Sequence, residues 1–180
     1  MSYPDFQFRG IFSAYVKELT TANKMHPKIF QDYYSAYLFC AIYGALQGAM
    51  RDYNPSTDDD GTEASTIRSE VFLNKSNGLY SYDTIRKIVL LFDNSRKLEF
   101  KEKIDYALRF DLPIEESLPE SLKRQSKYNE NTELFNRYAL GGLVLIYDKL
   151  VNVSSKEDLI DTMCQIRDDF NSAIGMSNNG

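Results

Sequence analysis

The sequence predicts an all-α fold, a single-domain helical bundle of about six to eight helices with two central apolar helices. Apolar residues recur every three to four positions along most of the 180-residue chain, which is the period of an amphipathic helix. Two runs carry no charge: residues 33–50 (YYSAYLFCAIYGALQGAM) and residues 138–147 (YALGGLVLIY). Because a helix that is apolar on every side must be enclosed by other elements, these runs predict the centre of the bundle.

The first part of the chain predicts two helices and a loop. Apolar spacing over residues 8–19 predicts the first helix. A second, long helix opens at residues 26–27, where Pro27 suits a first helical turn, and runs to about Asp52. Residues 54–62 then contain a proline, a glycine and three consecutive carboxylates, and this composition predicts a mobile loop.

The middle of the chain predicts two short amphipathic helices. The third helix starts after Ser65 or Thr66 and ends before the Asn-Gly pair at residues 77–78. Ser81 or Asp83 can cap the fourth helix, because both side chains accept hydrogen bonds from free amides of a first helical turn. Its inward stripe consists of Ile85, Ile88, Val89 and Phe92.

The second half predicts three further segments. A fifth helix covers residues 98–112. Residues 115–128 are polar and contain Pro119, which predicts a short helix or an irregular crossover. Helical spacing resumes at about Asn131 and passes through the second uncharged run.

A final helix begins at Ser154, since Ser154 and Glu157 have the spacing of a capping box. We expect residues 1–176 to form one helical domain and residues 177–180 to be a frayed tail. The length is that of one domain that buries a core without metal or disulfide support.

Composition limits the function classes. The 21 basic and 26 acidic residues give a net charge of −5, which argues against a protein dedicated to coating nucleic acid. The first uncharged run contains tyrosine hydroxyls and an amide that would need partners in lipid, and the mean hydropathy is −0.43, so we expect no membrane span. With two cysteines and no apolar leader segment, we expect a cytoplasmic protein.

Small residues in the two uncharged runs predict close helix packing. A glycine inside a helix is unfavourable by about 1 kcal/mol relative to alanine, and a closely approaching neighbour can offset this. We expect the two runs to pack on each other, with self-association or partner binding through one face as the alternative. The residues concerned are Ala41, Gly44, Ala45, Gly48, Gly141 and Gly142.

The sequence offers little chemistry. His26 is the only histidine, which excludes a multi-histidine metal site, and Cys40 lies in an apolar run where a thiolate is disfavoured. Phosphate-binding, dinucleotide-binding and nucleophile-elbow motifs do not occur. The acidic run at residues 58–60 fails as an EF-hand, because the first and twelfth ligands are missing. We therefore predict no catalytic residue, cofactor or metal, with a carboxylate-based enzyme as a third-ranked alternative.

A modest basic segment keeps a nucleic-acid function open. Acidic residues between positions 95 and 127 nearly cancel its charge, as on a solvated helix surface, so this is the second-ranked hypothesis. The candidate nucleic-acid contacts are Arg96, Lys97, Lys101, Lys123, Arg124, Lys127 and Tyr128.

Thirteen tyrosines without a tryptophan favour a recognition function, because tyrosine joins a large contact area to a polar tip. We predict a non-catalytic interaction or accessory subunit of a larger protein assembly, with a protein partner and possible homo-oligomerisation. The candidate partner contacts are Tyr53, Asp58, Asp59, Asp60 and Tyr80.

Overall fold

A computed structural model describes residues 3–22, 27–75, 80–109 and 118–175, with the side chains of 109 and 118–121 outside the description. The described residues form eight helices and one two-stranded sheet, which confirms the all-α prediction. In chain order the elements are β1 (Phe6–Phe8), α1 (Ile11–Thr20), α2 (Tyr33–Gln47), α3 (Pro55–Asp58), β2 (Ser65–Ile67), α4 (Ser69–Asn74), α5 (Tyr82–Phe92), α6 (Phe100–Arg109), α7 (Leu118–Leu150) and α8 (Lys156–Ala173).

Helices α2 and α7 pack on each other at the centre, at their glycines. A Cβ atom added to Gly142 would lie 1.9 Å from the backbone oxygen of Cys40, and one added to Gly44 would lie 2.2 Å from that of Tyr138. Since both neighbours are backbone atoms, no side-chain rotation could relieve either contact. Gly141 faces the chain just after α2, and a Cβ atom added to it would lie 2.3 Å from the backbone oxygen of Ala49.

The boundaries predicted for α2 were wrong at both ends. The helix begins at Tyr33, where Asp32 accepts a hydrogen bond from the amide of Ser35 at 2.7 Å. It ends at Gln47, since Gly48 takes a left-handed conformation with φ of 64° and Ala49 donates to the oxygen of Gly44 at 2.8 Å. This is a Schellman C-cap. Gly48 therefore terminates the helix, and a Cβ added there would meet nothing within 4 Å.

Helix α7 replaces the predicted crossover. It runs unbroken over 33 residues, Leu118–Leu150, and is thus about 50 Å long. Pro119 is its second residue, a position whose amide has no intrahelical partner in any helix, so the proline does not interrupt it. The predicted fifth helix also differs, since α6 covers only Phe100–Arg109 and residues 110–112 lie outside the described part.

The sheet was not predicted. β1 and β2 pair antiparallel, with Phe6 opposite Ile67 and Phe8 opposite Ser65. Three-residue strands are too short to show an alternating pattern, and helical spacing predicts Phe8 in the first helix and Ile67 in the third. Gly10 links β1 to α1 with φ of 52°, and an added Cβ would lie 1.9 Å from the oxygen of Asp58.

Capping residues set two other helix starts. Ser81 caps α5 through the amide of Thr84, as predicted. The N-cap of α8 is Ser155, one residue later than the predicted Ser154, because Ser155 accepts from the amide of Asp158 at 3.0 Å. Ser154 instead donates to the Asp158 carboxylate at 2.7 Å. The predicted tail, residues 177–180, lies outside the described residues.

No helix in the described part of the chain is long and apolar enough to cross a lipid bilayer.

Tyrosine hydroxyls join the outer helices to the core through carboxylates. Tyr138 of α7 donates to Asp93, just after α5, at 2.7 Å, and Tyr147 of α7 donates to Glu18 of α1 at 2.9 Å. Two further pairs are Tyr3 with Asp83 and Tyr43 with Asp169. The pKa values of Tyr138 and Tyr147 are both raised to about 12. Burial is the largest cause, and the hydrogen bond to the carboxylate is the second.

Gly142→Ala tests the contact between α2 and α7. Alanine favours helix by about 1 kcal/mol, yet we expect a net loss of about 2–4 kcal/mol in unfolding free energy, because the methyl group overlaps the backbone of α2. Urea denaturation followed by circular dichroism measures this. Gly48→Ala is the control, since it adds the same methyl group in open space and should lose only about 1–2 kcal/mol from its left-handed conformation. Equal losses of unfolding free energy in the two variants would contradict the close contact between α2 and α7.

Tyr138→Phe tests the tyrosine–carboxylate pairs. At pH 8 we expect a loss of about 1.5–3 kcal/mol, because Asp93 is buried and loses a donor. A tyrosine in the unfolded chain ionises near pH 10. Since the folded pKa of Tyr138 is higher, its contribution is complete below pH 10 and declines by about 1.4 kcal/mol per pH unit above it.

The stability gap between wild type and Tyr138→Phe should therefore narrow above pH 10. Urea denaturation from pH 8 to pH 11.5 measures it. Tyr80→Phe, at a hydroxyl on an exposed ring, is the control and should match wild type at pH 8. A gap that stays constant to pH 11.5 would contradict the assignment.

Candidate interaction sites

Ala41 and Ala45 lie buried in the α2–α7 core, beside the glycine contact. Five of the six small residues, Ala41, Gly44, Ala45, Gly141 and Gly142, thus belong to the buried centre. Gly48 does not, because it caps α2. The contact between α2 and α7 within one chain therefore covers the five buried residues, whereas Gly48 is exposed.

Asp58 was wrongly predicted as an exposed partner contact. Its side chain is 1% exposed and accepts from Arg51 at 2.8 Å and from the amide of Asn54 at 2.8 Å. The amide of Asn54 and then Arg51 and Thr57 lower the pKa of Asp58, although burial opposes this. The carboxylate therefore fixes the turn after α2, in the segment predicted as a mobile loop.

Asp59 and Asp60 are exposed, as a surface contact requires, and Tyr53 is half-buried. Asp59 accepts from the amide of Gly61 at 3.1 Å, and Asp60 accepts from that of Thr62 at 2.9 Å. Both aspartates form local turns of the kind their residue type favours. In the described ranges, no group of three or more acidic, histidine or cysteine side chains could hold a metal ion.

Arg96, a predicted nucleic-acid contact, is part of an internal polar network. It donates to Asp93 at 2.6 Å and to the fully buried Asn131 at 3.1 Å, and its guanidinium lies 4.8 Å from the ring centre of Tyr106. Although burial opposes ionisation, bonds from Ser95, Tyr138 and Arg96 hold the pKa of Asp93 below its usual range. The network joins α5, α6 and α7.

The remaining candidate nucleic-acid contacts differ in burial and in their partners. Tyr128 is only 9% exposed, with the buried Arg86 guanidinium 4.8 Å from its ring centre, and so is unsuited to base stacking. Lys127 forms an ion pair with Glu130 at 2.8 Å. Lys97, Lys101 and Lys123 are exposed, whereas Arg124 is half-buried.

Burial disfavours Cys40 as a nucleophile. Cys40 is buried in α2, and burial raises the pKa of its thiol. Cys164 is half-buried on α8. His26 lies outside the described residues.

An apolar groove of about 720 Å³ follows one side of α2, and we name it the α2 groove. Tyr34, Leu38 and Ile42 form a row along it at four-residue spacing, and the ring of Tyr80, 83% exposed, stands at its rim. An ion pair between Lys75 and Asp32 at 2.7 Å borders it. Its other apolar lining residues are Phe30, Phe39 and Ile85.

A polar cleft of about 600 Å³ lies between β1 and α7, and we name it the arginine cleft. Three guanidinium groups line it: Arg9 after β1, Arg51 after α2 and Arg137 on α7. The backbone amide of Arg51 donates to the oxygen of Arg137 at 3.0 Å, which fixes the segment after α2 on α7. Because these arginines are far apart in sequence and their grouping depends on the fold, no local motif predicted it.

Comparisons with protein-family models, with curated proteins and with solved structures find no match to this chain.

Asp58→Asn tests the function of the buried carboxylate. We expect a loss of about 2 kcal/mol in unfolding free energy at pH 7, because one neutral amide oxygen replaces two charged acceptors. The folded pKa is lowered, so the advantage of wild type is complete above about pH 4 and disappears as pH falls below it. Asp59→Asn, at an exposed carboxylate, is the control. Equal losses in both variants at pH 7, in urea denaturation, would show that Asp58 has no special structural function.

Proposed function

We propose that this chain is a non-catalytic helical interaction subunit of a larger cytoplasmic protein assembly, and that a partner protein docks in the α2 groove. The observation that carries the proposal is the groove itself, an apolar depression of about 720 Å³ beside the central helix. Its volume is in the range of specific binding sites.

The shape of the groove suits a helix from the partner. Tyr34, Leu38 and Ile42 repeat every four residues, the spacing at which one helix face meets another. From Tyr34 to Ile42 the row extends roughly 12 Å, which is about two helical turns. We therefore propose an amphipathic helix with apolar residues one turn apart, which is a recurrent mode of peptide recognition.

The rim of the groove supports specificity. Tyr80 projects into solvent, and an exposed aromatic ring beside an apolar pocket is the type of residue that contributes strongly to protein interfaces. Lys75 and Asp32 neutralise each other at the border and Lys75 lies 4.7 Å from the ring centre of Tyr34. The groove thus offers polar contacts to the edge of a docked helix and an apolar floor to its centre.

Photo-crosslinking tests this proposal. A photoreactive phenylalanine analogue replaces Tyr80 in the full chain. The variant is expressed in the cells in which the protein naturally occurs, and these cells are irradiated. We expect a covalent adduct with a protein partner, and we expect Ile42→Asp to reduce the adduct at least tenfold by placing a charge in the apolar floor. The same analogue at Arg167, an exposed position on α8, is the control and should give no such adduct.

Two results would contradict the proposal. The first is the absence of any adduct specific to position 80. The second is an adduct that persists when Ile42→Asp folds normally by circular dichroism. An adduct between two copies of the chain would assign the groove to homo-oligomerisation, and light scattering would then show a dimer or larger species.

A further inference from the structure

The arginine cleft contains more cationic hydrogen-bonding capacity than the protein uses. Arg9 donates through Nε and Nη2 to the Gln7 side-chain oxygen, at 3.2 and 3.0 Å, and this acceptor is a neutral amide. Arg51 donates through one Nη atom to Asp58, and Arg137 forms an ion pair through Nε with Asp52 at 3.0 Å. Each guanidinium carries five N–H donors, and the contacts described here use only some of them.

The carboxylates around the cleft are largely committed to the fold. Asp5 accepts from the amide of Ser69 at 2.7 Å and so caps α4, and Asp58 is buried beneath Arg51. Asp52 forms the ion pair with Arg137. Asp5, Asp52 and Glu133 are all exposed in the lining of the cleft, so an entering anion would meet three carboxylates. Asp5 and Asp52 are bonded as described above, and Glu133 lies on α7 one turn before Arg137.

The cleft also has an aromatic and aliphatic wall. Phe6, Tyr53 and Leu140 line it together with the three arginines. Its volume of about 600 Å³ lies within the range of small-molecule sites. Planar guanidinium groups match the oxygens of phosphate groups bidentately, and they do so better than ammonium groups.

From these contacts we propose that the arginine cleft binds a small molecule that carries a phosphate-class oxyanion, held by Arg9, Arg51 and Arg137. The organic part of the ligand lies against Tyr53 and Leu140. This site is separate from the α2 groove, since the two cavities share no lining residue, and it does not depend on the proposed docking function.

Titration of the full chain with pyrophosphate and with ADP, followed by 1H–15N NMR, tests the proposal. We expect shift changes concentrated at Gln7, Arg9, Arg51, Tyr53 and residues 136–140. Arg9→Ala should weaken binding of both probes about fivefold, the effect of losing one solvent-exposed ionic contact of about 1 kcal/mol. Glu133→Gln should strengthen binding about twofold to threefold, because it removes a repelling charge.

Arg167→Ala is the matched control, since this exposed arginine lies on α8 outside the cleft and should leave both affinities unchanged. Similar affinities for pyrophosphate and ADP would show that the site reads the phosphate groups alone, and tighter binding of ADP would show that the aromatic wall contributes. Tighter binding of ADP supports the whole proposal, whereas similar affinities support the oxyanion site and overturn the placement of the organic part against Tyr53 and Leu140.

Three results would overturn it: no shift changes with 10 mM of either probe, equal weakening by Arg9→Ala and Arg167→Ala, or shift changes spread over Lys97, Lys101 and Lys123. Circular dichroism of each variant would establish that it is folded. Arg9 is exposed and makes its described contacts with a neighbouring exposed side chain, so we expect its substitution to leave the fold intact.

Discussion

Backbone-to-backbone contact between α2 and α7 is the constraint on which the remaining packing depends. Gly44 and Gly142 face each other, and each leaves room for a main-chain oxygen of the other helix. Dispersion attraction is short-ranged, so the close approach of the two helices brings many atom pairs into contact. This gain offsets the lower helix propensity of the two glycines. Helices α1, α5 and α8 and strand β2 pack against this central pair, and α6 packs on α5.

Polar contacts orient the outer helices around this pair. Tyrosine hydroxyls from α7 reach a carboxylate after α5 and another on α1, so each ring contributes apolar area near the core and a hydrogen bond at its tip. The network of Asp93, Arg96 and Asn131 closes the junction of α5, α6 and α7. Buried polar groups are favourable only when they are paired, so these networks also limit how the helices can be arranged.

Periodic and uncharged segments could be predicted from the sequence because their physics is local. The two uncharged runs predicted the central helices, and Ser81 predicted the start of α5. Contacts between distant segments could not be predicted in this way. The burial of Asp58 depends on Arg51 and on the turn after α2, and the strand at residues 65–67 exists only because β1 pairs with it.

The two candidate sites show the same limitation. The α2 groove depends on the way α5 and the segment before α2 flank an otherwise buried helix, and only Tyr80 among its residues was predicted as a contact. The arginine cleft combines residues 9, 51 and 137, which no spacing rule connects. Basic residues chosen for their proximity in sequence proved to include Arg96, which is bound inside the fold.

Native-state hydrogen exchange of backbone amides tests the central claim most directly. If the glycine contact between α2 and α7 organises the fold, the amides of residues 41–45 and 138–143 should exchange only through global unfolding and show the highest protection in the protein. Amides of α8, at the periphery, should open at lower free energy. Exchange of the central amides before those of α5 and α8 would contradict the account.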